Sequence, residues 1–231
     1  MTTMTQRRDD LDEVGTGPLS RGASVVLWVL VLSALVVLTG GLPLALVPFL
    51  TGDTANVWLA AVLFVPLGPA LAATVFAWRR FLADRDLRPA AHFLRGYRLN
   101  ALDVLRWWVP LLAVLAVLVF TLLNLDAAGV PGGYGAVLVV VGVALLLWAV
   151  NALALTSRLN LRTRDVARLS TYYLGAKPLV TLKVLSLLVL CAGVVVFASD
   201  WVLVALTGVL ALLVTTTTEP VVTDATARFT A

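Results

Sequence analysis

A chain of 231 residues that is 61% hydrophobic and only 13% charged, with a mean hydropathy of +0.99, carries more apolar surface than one water-facing fold of that length can cover. This excludes an ordinary soluble domain and points to an all-α, polytopic membrane protein. The net charge of +4 reads as a topology signal and an attraction to anionic lipid headgroups rather than as a nucleic-acid footprint, because the basic residues lie in the connections between apolar runs.

Residues 1–22, rich in Thr and Gly and of mixed charge, are expected to form a mobile tail. Six apolar runs follow, at residues 24–50, 57–78, 107–125, 130–155, 179–197 and 201–215. Lipid offers the backbone no partners, so each is expected to cross the bilayer as a helix of roughly 20 residues. Together they make one six-helix membrane domain, residues 23–217, with a short C-terminal tail at 218–231. The first run is too long for a signal-peptide core of about 7–15 residues. It also exceeds what a roughly 30 Å core requires, so it must tilt, kink or emerge, and Pro43 and Pro48 mark where a kink would form.

All 17 Lys and Arg fall on one side of this arrangement. The N-terminal segment holds Arg7, Arg8 and Arg21. The second connection holds Arg79, Arg80, Arg85, Arg88, Arg95, Arg98 and Arg106, and the fourth holds Arg158, Arg162, Arg164, Arg168 and Lys177. Arg228 lies in the tail, and Lys183, one turn inside the fifth run, can snorkel back. The first, third and fifth connections hold none and carry Asp53, Asp126 and Asp200 instead. Basic residues are retained on the cytoplasmic side, so both termini are expected to be cytoplasmic.

The spans have no central Asp, Glu, Arg or His, which disfavours a proton-coupled pump. No HExxH, GxSxG, GxGxxG or GxxxxGK[ST] pattern occurs, so neither a catalytic site, a cofactor nor a metal is expected, and the chain is read as no enzyme. His92, the single histidine, lies in the Arg-rich connection without metal-ligand company, and Cys191, the single cysteine, is a small hydrophobe inside a span.

The most specific feature within the membrane is Pro66-Leu-Gly68-Pro69-Ala-Leu-Ala72-Ala. Two prolines three apart remove two backbone donors, and Gly68 with Ala72 lets a neighbouring helix approach closely. It reads either as a packing kink or as a broken helix whose freed carbonyls bind a ligand. In the cytoplasmic connections, Leu94, Tyr97, Ala101, Leu105 and Trp108 recur at helical spacing beside Arg95, Arg98 and Arg106. Leu155, Leu159, Val166, Leu169 and Tyr173 recur similarly beside Arg158, Arg162 and Arg168. Both connections contain Arg-Leu-Asn (Arg98 to Asn100, Arg158 to Asn160) followed by Asp-Val-x-Arg (Asp103 to Arg106, Asp165 to Arg168). This is either a weak internal repeat of one amphipathic helix or chance similarity in an Arg- and Leu-rich chain. Such helices either lie on headgroups or dock a soluble partner.

Leu67-Gly-Pro-Ala-Leu-Ala-Ala73 with Arg79-Arg80, then Phe93-Leu-Arg-Gly-Tyr-Arg-Leu-Asn100 with Trp107-Trp108, resembles the YesL-like membrane proteins, a family defined by a domain of unknown function. The likeness runs from about residue 24 to 215. The resemblance implies a role beside carbohydrate ABC importers, with permease or ATPase subunits as partners. The chain has neither a phosphate-cradling loop nor a permease-type Glu-Ala-Ala loop, so what remains is an accessory or regulatory subunit. A stand-alone small-molecule transporter or channel is the alternative, and a membrane enzyme trails it.

The charge segregation predicts that single cysteines placed at Asp53, Asp126 and Asp200 react with an impermeant thiol reagent in intact cells. Cysteines at Arg88 and Arg164 should react only after the membrane is opened, and labelling at Arg88 in sealed cells would overturn the topology.

Overall fold

The computed structural model describes residues 18–50, 54–84, 87–129, 133–159, 162–197 and 200–229, and it is helical, with no strand among them. The α-helices are α1 (Pro18–Val36), α2 (Asn56–Leu63), α3 (Leu67–Asp84), α4 (Pro89–Leu123), α5 (Gly133–Thr156), α6 (Thr163–Ala176), α7 (Pro178–Phe197), α8 (Asp200–Ala205) and α9 (Thr207–Phe229). Five helical stretches are long and apolar enough to cross a membrane: Gly22–Gly41, Asn56–Asp84, Pro89–Leu123, Gly133–Thr156 and Pro178–Phe197. The chain is therefore a multi-pass helical membrane protein.

The first apolar run does not continue as one helix. After Val36 it widens into a π-helical turn, Val37–Gly41, and then tightens into a 3₁₀ segment, Pro43–Phe49. Pro43 and Pro48 have no N–H to give the ladder, and the amide of Leu42 reaches back five residues to the Val37 carbonyl at 2.8 Å. Pro66 and Pro69 similarly interrupt the second run in a turn at residues 64–66, between α2 and α3. The indole N–H of Trp108 on α4 donates to the Phe64 carbonyl there at 3.1 Å. A Cβ added at Gly68 would sit 2.6 Å from the same indole, so the missing side chain is what lets α4 lie against the break. Pro69 and Ala72 are buried beside it, and Pro66 is half-buried.

The run at residues 201–215 is divided at Leu206 into α8 and α9, and α9 continues through Thr215, Thr216, Thr217, Thr218, Glu219 and Pro220 to Phe229. Val221, Val222 and Ala225 are fully buried, so residues 218–229 extend a packed helix rather than hang as a tail. At the other terminus, α1 begins at Pro18, inside the segment expected to be a tail, and residues 1–17 lie outside the described residues. Helix α9 touches α1, α3, α5 and α7, and α3 packs along α4.

Helix α4 joins what the sequence separates: the first amphipathic connecting segment and the third span form one helix of 35 residues, and Pro110 is carried inside it. Its buried stripe is Phe93, Gly96, Asn100, Val104, Trp107 and Leu111. The expected stripe therefore needs correcting, because Leu94 is exposed while Asn100, expected at a docking surface, faces the core. Close approach to α3 selects this face, since a Cβ at Gly96 would lie 2.8 Å from Phe76. In the second connection all five apolar residues of the expected stripe, Leu155, Leu159, Val166, Leu169 and Tyr173, are buried. The supposed repeat is housed differently in its two copies: Arg98 to Asn100 lies mid-helix, whereas Arg158 and Leu159 lie in the turn after α5 and Asn160 lies outside the described residues.

The crossing of α1 and α9 is the tightest for backbone. The Ser33 hydroxyl donates to the Ala205 carbonyl at 3.0 Å and accepts from the Gly208 amide at 2.9 Å, bridging the break at Leu206. Trp78 on α3 donates to the Gly208 carbonyl at 2.9 Å. A Cβ at Gly208 would lie 2.6 Å from the Val29 carbonyl oxygen, whereas one at Gly142 would meet nothing within 4 Å. Gly208→Ala should accordingly cost about 1–3 kcal/mol in detergent unfolding. Gly142→Ala should be neutral or stabilising by up to about 1 kcal/mol. Equal melting temperatures for the two variants would contradict this crossing.

Candidate functional site

Helix α3 carries Arg79 and Arg80 four to five residues before its end at Asp84, at the arginine-rich end of the bundle. The Arg79 side chain is only 11% exposed, and its Nη1 donates to the Ala154 carbonyl at 2.8 Å and to the Ser157 hydroxyl at 2.9 Å. Ala154 is in the last turn of α5, and its carbonyl also accepts from the Ser157 hydroxyl at 2.9 Å, so the guanidinium and that hydroxyl together cap the helix and complement its negative end. Its Nε and Nη2 are buried and make no hydrogen bond.

Across from Arg79, Glu219 on α9 spans two guanidiniums. Its Oε1 accepts from Arg158 Nη1 at 2.8 Å, whereas Oε2 stands 3.9 Å from Arg79 Nε, too far for a hydrogen bond. These residues line a cavity of about 680 Å³ together with Phe76, Arg80, Ser157, Thr215 and Thr216. Such a volume falls within the usual range for small-molecule sites, about 300–1,000 Å³. The Thr215 and Thr216 hydroxyls donate to carbonyls of their own helix, which leaves the arginines as the donors facing the space. Pro220 has no N–H for the Thr216 carbonyl one turn back, so the wall of the cavity is also a weak point of the α9 ladder.

A second cavity, about 530 Å³, lies further into the bundle, on α3, α9 and the helix α5 that precedes Ser157. Leu71 and Val75 of α3, Val150 and Leu153 of α5, and Leu210, Ala211 and Val214 of α9 line it, and it extends to Val37 and Val47 at the break after α1.

A clasp of polar groups holds the far end of α9. Tyr173 on α6 donates to Asp224 Oδ2 at 2.9 Å, Arg228 Nε lies 3.1 Å from the same oxygen, and Lys177 Nζ lies 3.8 Å from Oδ1 while donating to the Pro220 carbonyl at 2.7 Å. The hydrogen bond from Tyr173, aided by Arg228 and Lys177, holds the Asp224 carboxyl below its ordinary value of 3.8. Burial, reinforced by the bond to Asp224, pushes the Tyr173 hydroxyl up to about 12.

The residues anticipated as a docking surface divide into groups. Arg95, Arg98, Arg162 and Arg168 are exposed, Asp165 is partly so, and Arg106 is exposed but tied to Asp103 at 2.7 Å. Arg158 belongs to the cavity through Glu219, and Asn100 is in the core with its Nδ2 unbonded. His92 stacks on Trp28 with ring centroids 6.0 Å apart, and Cys191 is half-buried on α7. No group of His, Cys, Asp or Glu that could hold a metal occurs among the described residues. Compared with protein-family models, curated proteins and solved structures, the chain matches none. What the fold and the cavities define is a class: a multi-pass helical membrane protein with a basic cavity at one end of its bundle.

The clasp predicts a pH dependence at both extremes. A depressed carboxyl contributes stability that is present above about pH 3.8 and lost as acid protonates it, so melting temperature should fall below pH 4, and less so in Asp224→Asn. A raised phenol contributes fully below pH 10 and loses its contribution between pH 10 and about 12. Tyr173→Phe should be flatter across that alkaline window, and a wild-type curve with the slope of both variants would refute the clasp.

Proposed function

We propose that this protein is a non-catalytic accessory or regulatory subunit of a carbohydrate ABC importer. In this reading it crosses the plasma membrane six times, with the α8–α9 segment as the sixth crossing and both termini in the cytoplasm. The resemblance to YesL-like proteins supplies the importer. The observation that carries a docking role is the number of exposed arginines on two helices that touch, Arg95 and Arg98 on α4 and Arg164 and Arg168 on α6, with Arg162 just before α6. Planar guanidiniums on ordered helices suit bidentate recognition of a partner's carboxylates, whereas attraction to headgroups needs positive charge alone. Replacing Arg95, Arg98 and Arg168 with Lys keeps the charge and removes the fork.

Affinity purification of the tagged chain from its native membrane in mild detergent should recover permease or ATPase subunits of a sugar importer, and the triple Lys variant should lose at least half of them. Recovery of the chain without such subunits, or recovery unchanged by the Lys variant, would defeat the reading. A second reading, a stand-alone small-molecule transporter, is favoured by the basic cavity beneath Arg158; solute flux into vesicles containing only the purified chain separates the two.

A further inference from the structure

The two cavities described above have no lining residue in common but adjoin along the chain at three places. Val75 and Phe76 are consecutive on α3, Val214 and Thr215 are consecutive on α9, and Ser157, in the turn just after α5, follows Leu153 of α5 by four residues, with the apolar member of each pair on the apolar cavity and the other on the basic one. A space that is apolar toward the membrane interior and cationic at the end of the bundle matches one kind of molecule. We propose that α3, α5 and α9 enclose a binding site for an anionic phospholipid, with an acyl chain in the apolar cavity and the phosphate against Arg158 and Arg80.

Charge, depth and hydrogen bonding each support this occupant. Arg79 and Arg158 share a single carboxylate, so the group carries a net positive charge in a partly desolvated place, and a phosphodiester supplies the missing negative charge. Leu67, at the deep end of the apolar lining, is roughly 18 Å along the helix from Arg79, and one leaflet of a bilayer core is about 15 Å deep. The cavity thus has the depth of one acyl chain below a headgroup. Arg79 Nε, which has no hydrogen bond, is 3.9 Å from Glu219 Oε2. A phosphate that takes over Arg158 releases Glu219 to close that gap, so binding converts one shared ion pair into two full ones. The arriving lipid completes a network that the protein alone leaves one partner short.

Glu219 is then a competitor of the phosphate, and this gives the test a sign that misfolding cannot imitate. Native mass spectrometry of the delipidated protein titrated with dioleoyl phosphatidylglycerol should show one tightly retained lipid, with dioleoyl phosphatidylcholine bound at least several-fold more weakly. Arg158→Gln should weaken phosphatidylglycerol binding roughly tenfold, and Glu219→Gln should strengthen it. Leu153→Trp, which fills the apolar cavity, should weaken both lipids alike. Equal retention of the two lipids, or Glu219→Gln that leaves phosphatidylglycerol unchanged or weaker, overturns the proposal. Competition by inorganic phosphate as effective as that by phosphatidylglycerol would assign the site to a free anion and overturn it equally.

Discussion

A backbone polar group in an apolar medium must find a partner, and in this protein that requirement fixes which helices touch. Three of its apolar runs are broken, after Val36, at residues 64–66 and at Leu206. The first break is bridged within its own run by the amide of Leu42, and the other two are served by side chains from other helices: Trp108 reaches the Phe64 carbonyl, and Ser33 and Trp78 serve the groups around Leu206. Each such bond is worth only about 0.5–1.5 kcal/mol net in water, and at Phe64 the indole adds a second donor beside the Leu67 amide at 3.2 Å, but an unmet group in lipid costs several. These contacts therefore specify the neighbours of each break as much as they add stability, and they tie α1, α3, α4 and α9 into one arrangement.

The same requirement shapes the basic end. The last turn of α5 offers the Ala154 carbonyl, and Arg79 meets it alongside the Ser157 hydroxyl at the expense of burying its own guanidinium. One side chain thus links the end of α5, through Glu219, to α9, and through Arg158 to the turn that leads into α6. The clasp of Tyr173, Lys177 and Arg228 on Asp224 repeats the arrangement about one and a half turns further along α9. Charged residues that read from the sequence as signals of sidedness are here also joints between helices.

The helical class, five of the six expected membrane-crossing stretches and the turn beside Pro66 were legible in the sequence because each depends on local rules: hydropathy over a window, and proline's missing donor. The inward face of α6 was legible as well, since its periodicity is strong and nothing competes with it. The inward face of α4 was displaced by one residue because the choice was made by Gly96 and Phe76 on separate helices, a matter of shape that no single-helix pattern contains. The basic cavity was not visible. Arg79 finds its partners 75 and 78 residues away, and Glu219 lies in a stretch whose polarity suggested a tail. Threonine softens that judgement in hindsight, because its hydroxyl can bond back to its own helix, as Thr215, Thr216 and Thr218 do.

The length of α4 has a mechanical consequence. Its 35 residues make a rod about 52 Å long, against a hydrocarbon layer of roughly 30 Å. A tilt of about 20° shortens its vertical reach by only a few ångströms, so leaning cannot hide it. Roughly 20 Å of unbroken helix must therefore extend beyond the hydrocarbon layer, and Arg95 and Arg98 lie toward its N-terminal end. That end of the helix is braced by its neighbours, with His92 stacked on Trp28 of α1 and Phe93 in the same buried cluster, and each turn added to or removed from it would move Arg95 and Arg98 by about 5 Å relative to the bilayer.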